Sequence, residues 1–213
     1  MKGKTHLGIG LAIGGVACLY YPAGMDHAAL YLSVAGLSAL SADLDGPSIL
    51  SGKISKLSKL LRQLALWTGL ALAAGLAYLH FAMDRFDSGY AACAIAALLI
   101  GFVAKQGAVR NALVSAVGGG LLAYGARTGQ SWLVGFGAFV VVAPWLKHRG
   151  LTHSLWALIA WGAIGRGLEN ELGIPGIAAV ATAGYASHLL ADTLTPSGVK
   201  WLYPLYKKAI RIR

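Results

Sequence analysis

The sequence predicts an all-α fold: a polytopic transmembrane bundle of about eight membrane-embedded helices, with both termini cytoplasmic. Three observations carry that prediction. The 213 residues are 57% hydrophobic and only 12% charged, too little polar surface for a soluble chain of this size. Apolar runs recur along the whole length, broken by short polar pieces. Lysine and arginine concentrate in alternate breaks. No soluble segment longer than a loop interrupts the runs, so 1–213 reads as a single integral-membrane helical domain.

The runs fall at 5–21, 28–42, 63–82, 89–104, 110–125, 131–146, 151–168 and 174–194. The first follows Met-Lys-Gly-Lys-Thr-His and reads as a retained span. Tyr20, Tyr21 and Pro22 stand where a signal peptide would need a small-residue cleavage site. The runs 28–42 and 89–104 are the weakest, because a hydrocarbon core of about 30 Å takes roughly 20 helical residues to cross. Between the second and third runs, the cytoplasmic loop 46–62 interleaves Leu50, Ile54, Leu57, Leu60 and Leu61 with Lys53, Lys56, Lys59 and Arg62, the pattern of a short amphipathic surface helix. Gly8, Gly10, Gly14 and Gly118-Gly119-Gly120 lie inside runs, where glycine favours close helix packing. Cys18 and Cys93 also fall inside runs and read as small buried hydrophobes rather than a disulfide. The segment 196–213, with Trp201, Tyr203, Tyr206 and several basic residues, reads as interfacial, facing anionic lipid.

The charges set the orientation. With the N-terminus inside, only Arg85, Arg127 and Arg166 of the 18 basic residues lie outside. Cytoplasmic loops carry the Lys/Arg excess, so both the orientation and an even span number follow. Asp26, Asp84, Asp87, Glu169 and Glu171 then fall outside as solvated surface, whereas Asp43, Asp45 and Asp192 fall inside, each at the end of a run.

That topology gathers the metal-capable side chains at one face. His6 begins the first run, Asp43 and Asp45 follow the second, His148 and His153 flank the start of the seventh, and His188 and Asp192 close the eighth. His27 and His80 lie towards the other face. His188 and Asp192 are four apart and share a helix face. Asp43-Leu44-Asp45 precedes Gly46-Pro47, and in an extended or turn segment its carboxylates point the same way. In Lys147–Ser154, K-H-R-G-L-T-H-S, Gly150 lets the chain turn between the histidines, and Thr152 or Ser154 can cap the next helix. Taken singly, each residue has a plain structural explanation: a helix–helix hydrogen bond, a cap, or in Arg149 an orienting charge. Together they point to a shared site for one or two divalent ions, with zinc favoured and manganese or iron as alternatives. Ionisable groups near lipid are costly without partners. Arg149 beside the cluster suits a phosphate or carboxylate.

These motifs also carry a resemblance. T-H-L-G-I-G at Thr5–Gly10, S-A-D-L-D-G at Ser41–Gly46, H-R-G-L-T-H-S at His148–Ser154 and S-H-L-L-A-D-T-L-T-P-S-G at Ser187–Gly198 together resemble the YdjM-like family of bacterial inner-membrane proteins, classed as metal-dependent hydrolases. The resemblance runs over nearly the whole chain. It implies a hydrolase of the inner membrane, with ligand roles on His6, Asp43, Asp45, His148, His153, His188 and Asp192. The expected function is hydrolysis of a phosphoester or anionic lipid-type substrate at the cytoplasmic face. Arg149 would orient the phosphate, and Asp45 or His153 would serve as general base. The expected partners are membrane lipids and a lipid or phosphorylated substrate, with no nucleic acid. Two alternatives use the same cluster: a transporter or proton-coupled carrier, and a regulatory protein with a structural metal site. A carrier usually holds its ionisable groups near the bilayer midplane, whereas here the middles of the runs are nearly free of charge.

Overall fold

The computed structural model describes residues 1–21 and 25–212, so Pro22 and Arg213 lie outside the described residues. Among the described residues eight α-helices follow one another: α1 Gly3–Tyr20, α2 Ala28–Ser41, α3 Gly52–Met83, α4 Ser88–Leu98, α5 Gln106–Thr128, α6 Ser131–Val142, α7 Leu155–Leu172 and α8 Ile177–Thr193. Short tight turns at Ala42–Asp45, Ala143–Trp145 and Leu151–His153 join them. Among the described residues there is no strand, only an isolated antiparallel bridge between Val199 and Ile210. The fold is all-α. The chain divides into two compact units, one made of Met1–Ser51 with Val114–Arg213, the other of Gly52–Leu113.

In the first unit, α1, α2 and α8 pack almost backbone to backbone, because glycines stand at their contacts. A Cβ added at Gly14 would lie 2.8 Å from the Leu32 Cα, and one at Gly184 would lie 2.8 Å from the Ala35 carbonyl oxygen. Small residues permit this approach, and dispersion rewards it where lipid gives helices no hydrophobic drive to associate. Around the contact, Tyr31, Ala35, Ile177 and Val180 form one buried cluster, and Ala157, Trp161, Tyr185 and Leu189 another. The polar tips of their large rings are all satisfied. Tyr31 donates to the Pro175 carbonyl at 2.6 Å, Trp161 to Ser38 Oγ at 2.9 Å and Tyr185 to the Thr152 carbonyl at 2.6 Å.

The second unit departs from the expected pattern in one place. No separate surface helix occupies 46–62. From Gly52 onward that stretch is the first turns of α3, a single helix of 32 residues. The physical reason lies in the sequence: no glycine or proline falls between Gly52 and Gly69, and lysine and leucine are good helix formers. α4 runs on into a π turn at Leu99–Val103, where Arg62 donates to the Gly101 carbonyl at 3.0 Å.

Among the described residues, α3 alone is long and apolar enough to cross a membrane; α4 and α5 pass only when taken together across their break. The other runs are helical but shorter or less apolar than a full span requires. α2, with 14 residues, rises only about 21 Å. α1 loses hydropathy to Lys4, Thr5, His6 and its glycines.

The segment after α8 is less peripheral than its composition suggests. Val199 is fully buried, the Trp201 indole donates to Thr193 Oγ1 at 3.0 Å, and the Leu155 amide donates to the Trp201 carbonyl at 2.8 Å. Leu205, Tyr206 and Ile212 remain exposed.

Candidate metal centre

Four pieces of chain meet at one end of the first unit. α1 brings His6, the turn after α2 brings Asp43 and Asp45, the 147–154 loop brings His148, Arg149, Thr152 and His153, and the last turns of α8 bring His188 and Asp192. Asp43 and Asp45 sit on a tight helical turn rather than an extended dipeptide, and the Gly46 amide closes it on the Asp43 carbonyl at 3.1 Å.

In the loop, the reversal falls on Arg149, not on Gly150. Arg149 is left-handed at φ 57°, a conformation costing about 1–3 kcal/mol for a residue with a side chain. Its contacts hold it there: the amide donates to Asp45 Oδ2 at 3.1 Å and the guanidinium pairs with Asp192 Oδ2 at 2.8 Å. Gly150 is required for space, since a Cβ there would lie 2.7 Å from the Lys147 carbonyl oxygen. Ser154 caps α7, while Thr152 turns inward.

The inner set is Asp43, His153, His188 and Asp192. The Nε2 atoms of His153 and His188 are 3.3 Å apart, and they lie 3.7 and 3.6 Å from Asp43 Oδ1 and 3.9 and 4.0 Å from Asp192 Oδ2. Ligands at about 2.0–2.1 Å from a tetrahedral zinc stand about 3.3–3.4 Å from one another, so these separations sit at or slightly above that spacing. The hydrogen bonds decide where the imidazole protons are. His188 Nδ1 is 2.7 Å from the Ala39 carbonyl, which can only accept, so this nitrogen carries the hydrogen. Thr152 gives its one hydroxyl hydrogen to Asp45 Oδ2 at 2.6 Å, so its 3.1 Å contact with His153 Nδ1 must take a proton from that ring. When both rings are neutral, as metal ligands must be, the two Nε2 atoms therefore face each other as lone pairs in a fully buried space. A cation between them resolves that repulsion, and outer hydrogen bonds of this kind are how proteins orient histidine ligands.

His6 gives a second sign. It is buried, stacks on His188 with ring centroids 3.8 Å apart, and has no hydrogen-bond partner on either nitrogen. Its Nε2 lies 3.4 Å from Asp192 Oδ1 without hydrogen-bond geometry. An unsatisfied buried polar side chain costs about 1–3 kcal/mol, which ligation would remove. Among the described residues three overlapping groups could hold an ion, with ligand atoms within 4.8 Å of one another: His6, Asp43 and His188; His153, His188 and Asp192; and Asp43, Asp45 and His148. Asp43 and His188 each belong to two of them, so the residues present fit one ion or a pair.

Asp45 is already engaged. Oδ1 takes His148 Nδ1 at 2.7 Å, and Oδ2 takes Thr152, the Arg149 amide and, at 3.4 Å, His153 Nδ1. Burial would raise its pKa, but hydrogen bonds from His148, His153 and Thr152 outweigh that and hold the carboxyl well below the usual range. The Asp45 bond in turn raises the pKa of His148, against a smaller opposing effect of burial. The His148 ring is 57% exposed at the mouth of the site. That mouth is a polar cavity of about 320 Å³ with Asp43, His148, Arg149 and Asp192 in its wall.

A sequence profile of the YdjM inner membrane protein family matches residues 1–213, the whole chain. The chain belongs to that family. It is accordingly a protein of the inner membrane, and its helical fold agrees with that setting. No curated protein and no solved structure matches the chain. Within this YdjM-family chain, every candidate ligand expected from the sequence reaches the same end of the first unit. The residues that sequence reasoning missed are supporting ones: Thr152 as the link from Asp45 to His153, the Ala39 carbonyl, and Tyr185, which fixes the loop through the Thr152 carbonyl. A threonine directly before a candidate ligand was the available signal for the first, and no side-chain pattern announces a carbonyl.

Asp45→Asn keeps the shape but leaves His153 without its carboxylate. Metal affinity should fall about 10–100-fold, the usual effect of removing an outer-shell partner, in a competition titration against a chelator.

Proposed function

We propose that this protein is a membrane-bound, metal-dependent hydrolase of the phosphoesterase type, with its centre at the cytoplasmic face. The observation that carries this reading is the buried pair of Nε2 atoms 3.3 Å apart beside Asp43 and Asp192, opening on a mouth that holds Arg149. Asp43, His153, His188 and Asp192 would hold one ion, and His6 would complete a second position with Asp43. Zinc suits this nitrogen and oxygen donor set, as do manganese and iron. A bound divalent ion supplies Lewis acidity, drawing charge from a phosphoryl oxygen and acidifying water.

The chain's own residues do the rest. Arg149, held by Asp192, the Gly198 carbonyl and Thr195 Oγ1, presents a fixed positive charge to an anionic substrate at the mouth. His148 takes over the proton-transfer role: with Nδ1 bound to Asp45 and its ring exposed, it is placed to accept a proton from attacking water and return it to the leaving oxygen. Asp45 orients both His148 and His153. The short helices are read as membrane-embedded together with α3, to about eight in all, and the termini as cytoplasmic, from the charge asymmetry. The polar cluster at one end, rather than at mid-helix, favours this reading over a carrier.

The test is elemental analysis of purified protein together with turnover of bis(p-nitrophenyl) phosphate and a phospholipid panel, with and without chelator. Chelator-sensitive hydrolysis is expected; a metal-replete protein with no turnover on any substrate would overturn the proposal. His148→Gln should retain the metal and lose about 10²–10⁴-fold in kcat, the range for removing a general acid–base.

A further inference from the structure

We infer that the lysine-rich end of the second unit holds the headgroup phosphate of a net-anionic phospholipid, between Lys59 and Arg62 of α3 and Lys105 just past the π turn. The inference is independent of the hydrolase reading. Two glycine contacts fix how the elements meet there. A Cβ at Gly69 would lie 2.9 Å from the Leu98 amide nitrogen, and one at Gly101 would lie 2.7 Å from the Leu66 Cα. The crossing is therefore antiparallel, and each step back along α3 is matched by an equal step forward on the other side. One turn further on, the same register sets Arg62 at the level of Lys105. Arg62 is drawn inward there: it is half-buried, it donates to the Gly101 carbonyl at 3.0 Å, and its Nε is covered without a partner.

Charge and depth choose the occupant. The unit's two carboxylates, Asp84 and Asp87, follow the far end of α3, so no acid of its own stands beside these cations. The last carbonyls of the π turn offer Arg62 about half a negative charge, which leaves Lys59 and Lys105, both exposed, uncompensated. Like charges one turn apart on a helix repel, and an anion between them reverses the sign. α3 rises about 48 Å over its 32 residues, whereas a hydrocarbon core of about 30 Å takes roughly 20 of them. The stretch 63–82 carries no Lys, Arg, Asp or Glu, so Arg62 stands where hydrocarbon gives way to headgroups. On the hydrocarbon side, Trp67 of α3 and Phe102 and Val103 of the π turn are exposed. That surface suits a lipid's acyl chains and gives a free phosphate nothing. The surrounding inner membrane supplies the lipid.

The experiment uses full-length protein in detergent, titrated with phosphatidylglycerol or with phosphatidylcholine of the same acyl chains, and counts retained lipid by native mass spectrometry. One phosphatidylglycerol is expected to be held in preference to phosphatidylcholine. In the Lys59→Gln, Lys105→Gln variant both changed positions are exposed, so the Arg62 bond and the helix crossing stay in place. That variant should hold the lipid roughly 30-fold more weakly, about fivefold for each cation. Lys53→Gln, Lys56→Gln removes the same charge roughly 9–14 Å further along the axis from Arg62, beyond a screening length of about 8 Å. It should cost less than about threefold. Equal retention of the two lipids, or equal losses in the two variants, would overturn the inference, since diffuse positive charge then accounts for the binding. Displacement of the lipid by millimolar inorganic phosphate would overturn it as well, because the site then belongs to a soluble anion.

Discussion

Asp192→Asn protein, purified from membranes, is expected to bind metal at least about 100-fold more weakly than wild type, beyond the loss usual for an outer-shell partner. Asp192 is where the cluster's contacts converge. Oδ1 faces His6 at 3.4 Å and the Met1 amine at 2.5 Å, while Oδ2 faces Arg149 at 2.8 Å and the two facing histidines near 4 Å. Asparagine keeps the shape but removes the charge, and whichever way the amide turns, its NH2 confronts a cation or a candidate ion position. Arg149, 23% exposed, is left without its counter-charge. Elemental analysis reads the loss of metal, and membrane fractionation reads insertion, which should be unchanged. Full metal occupancy in this variant would remove Asp192 from the ligand set.

Gly184→Leu should disassemble the same centre from a distance. The new Cβ alone would lie 2.8 Å from the Ala35 carbonyl oxygen and 2.9 Å from Ser38 Cβ, and the remaining side-chain atoms have nowhere to go. Overpacking typically costs about 1–3 kcal/mol, and contact with a main-chain oxygen leaves little room for relaxation. His188 is one helical turn further along α8, so the displacement that relieves the clash also breaks its bond to the Ala39 carbonyl. A lower melting temperature and loss of metal should appear together. Gly8→Leu is the matched control, since a Cβ there meets nothing within 4 Å; both properties should stay at the wild-type level. A Gly184→Leu protein that keeps its metal would separate the site from helix packing.

How much of this could be read from the amino acids depends on the kind of interaction. The gathering of His6, Asp43, Asp45, His148, His153, His188 and Asp192 was legible, because helix ends and charge asymmetry place them on one face. The helical class was legible from the apolar runs. The span count was not carried through: periodic apolarity marks a helix, but whether α2 crosses a bilayer depends on its length and neighbours. Division of labour within the cluster was also hidden. Asp43 and Asp45 look alike in sequence, and only the structure shows that both Asp45 oxygens are taken up by the 147–154 loop. Arg149 was read as suited to a phosphate or carboxylate, and the carboxylate it holds in the structure is the chain's own Asp192. Glycine at 150 suggested the hinge, yet the left-handed residue is its neighbour, held by tertiary contacts that no local propensity encodes.

The ends of α2 and α8 have a consequence beyond the side chains they carry. Both helices finish at the cluster, and Ala39 lies among the last carbonyls of α2, which have no obligatory partner within the helix. Aligned peptide dipoles leave about half a negative charge at each such terminus. The first turns of α1 and α7 meet the same cluster through His6 and the Ser154 cap with the opposite sign, so the two pairs of termini offset one another and the preference for a cation rests on the carboxylates. Taking the charge off Asp43 or Asp192 should therefore not be made good by the backbone, whose four helix ends leave the centre close to neutral.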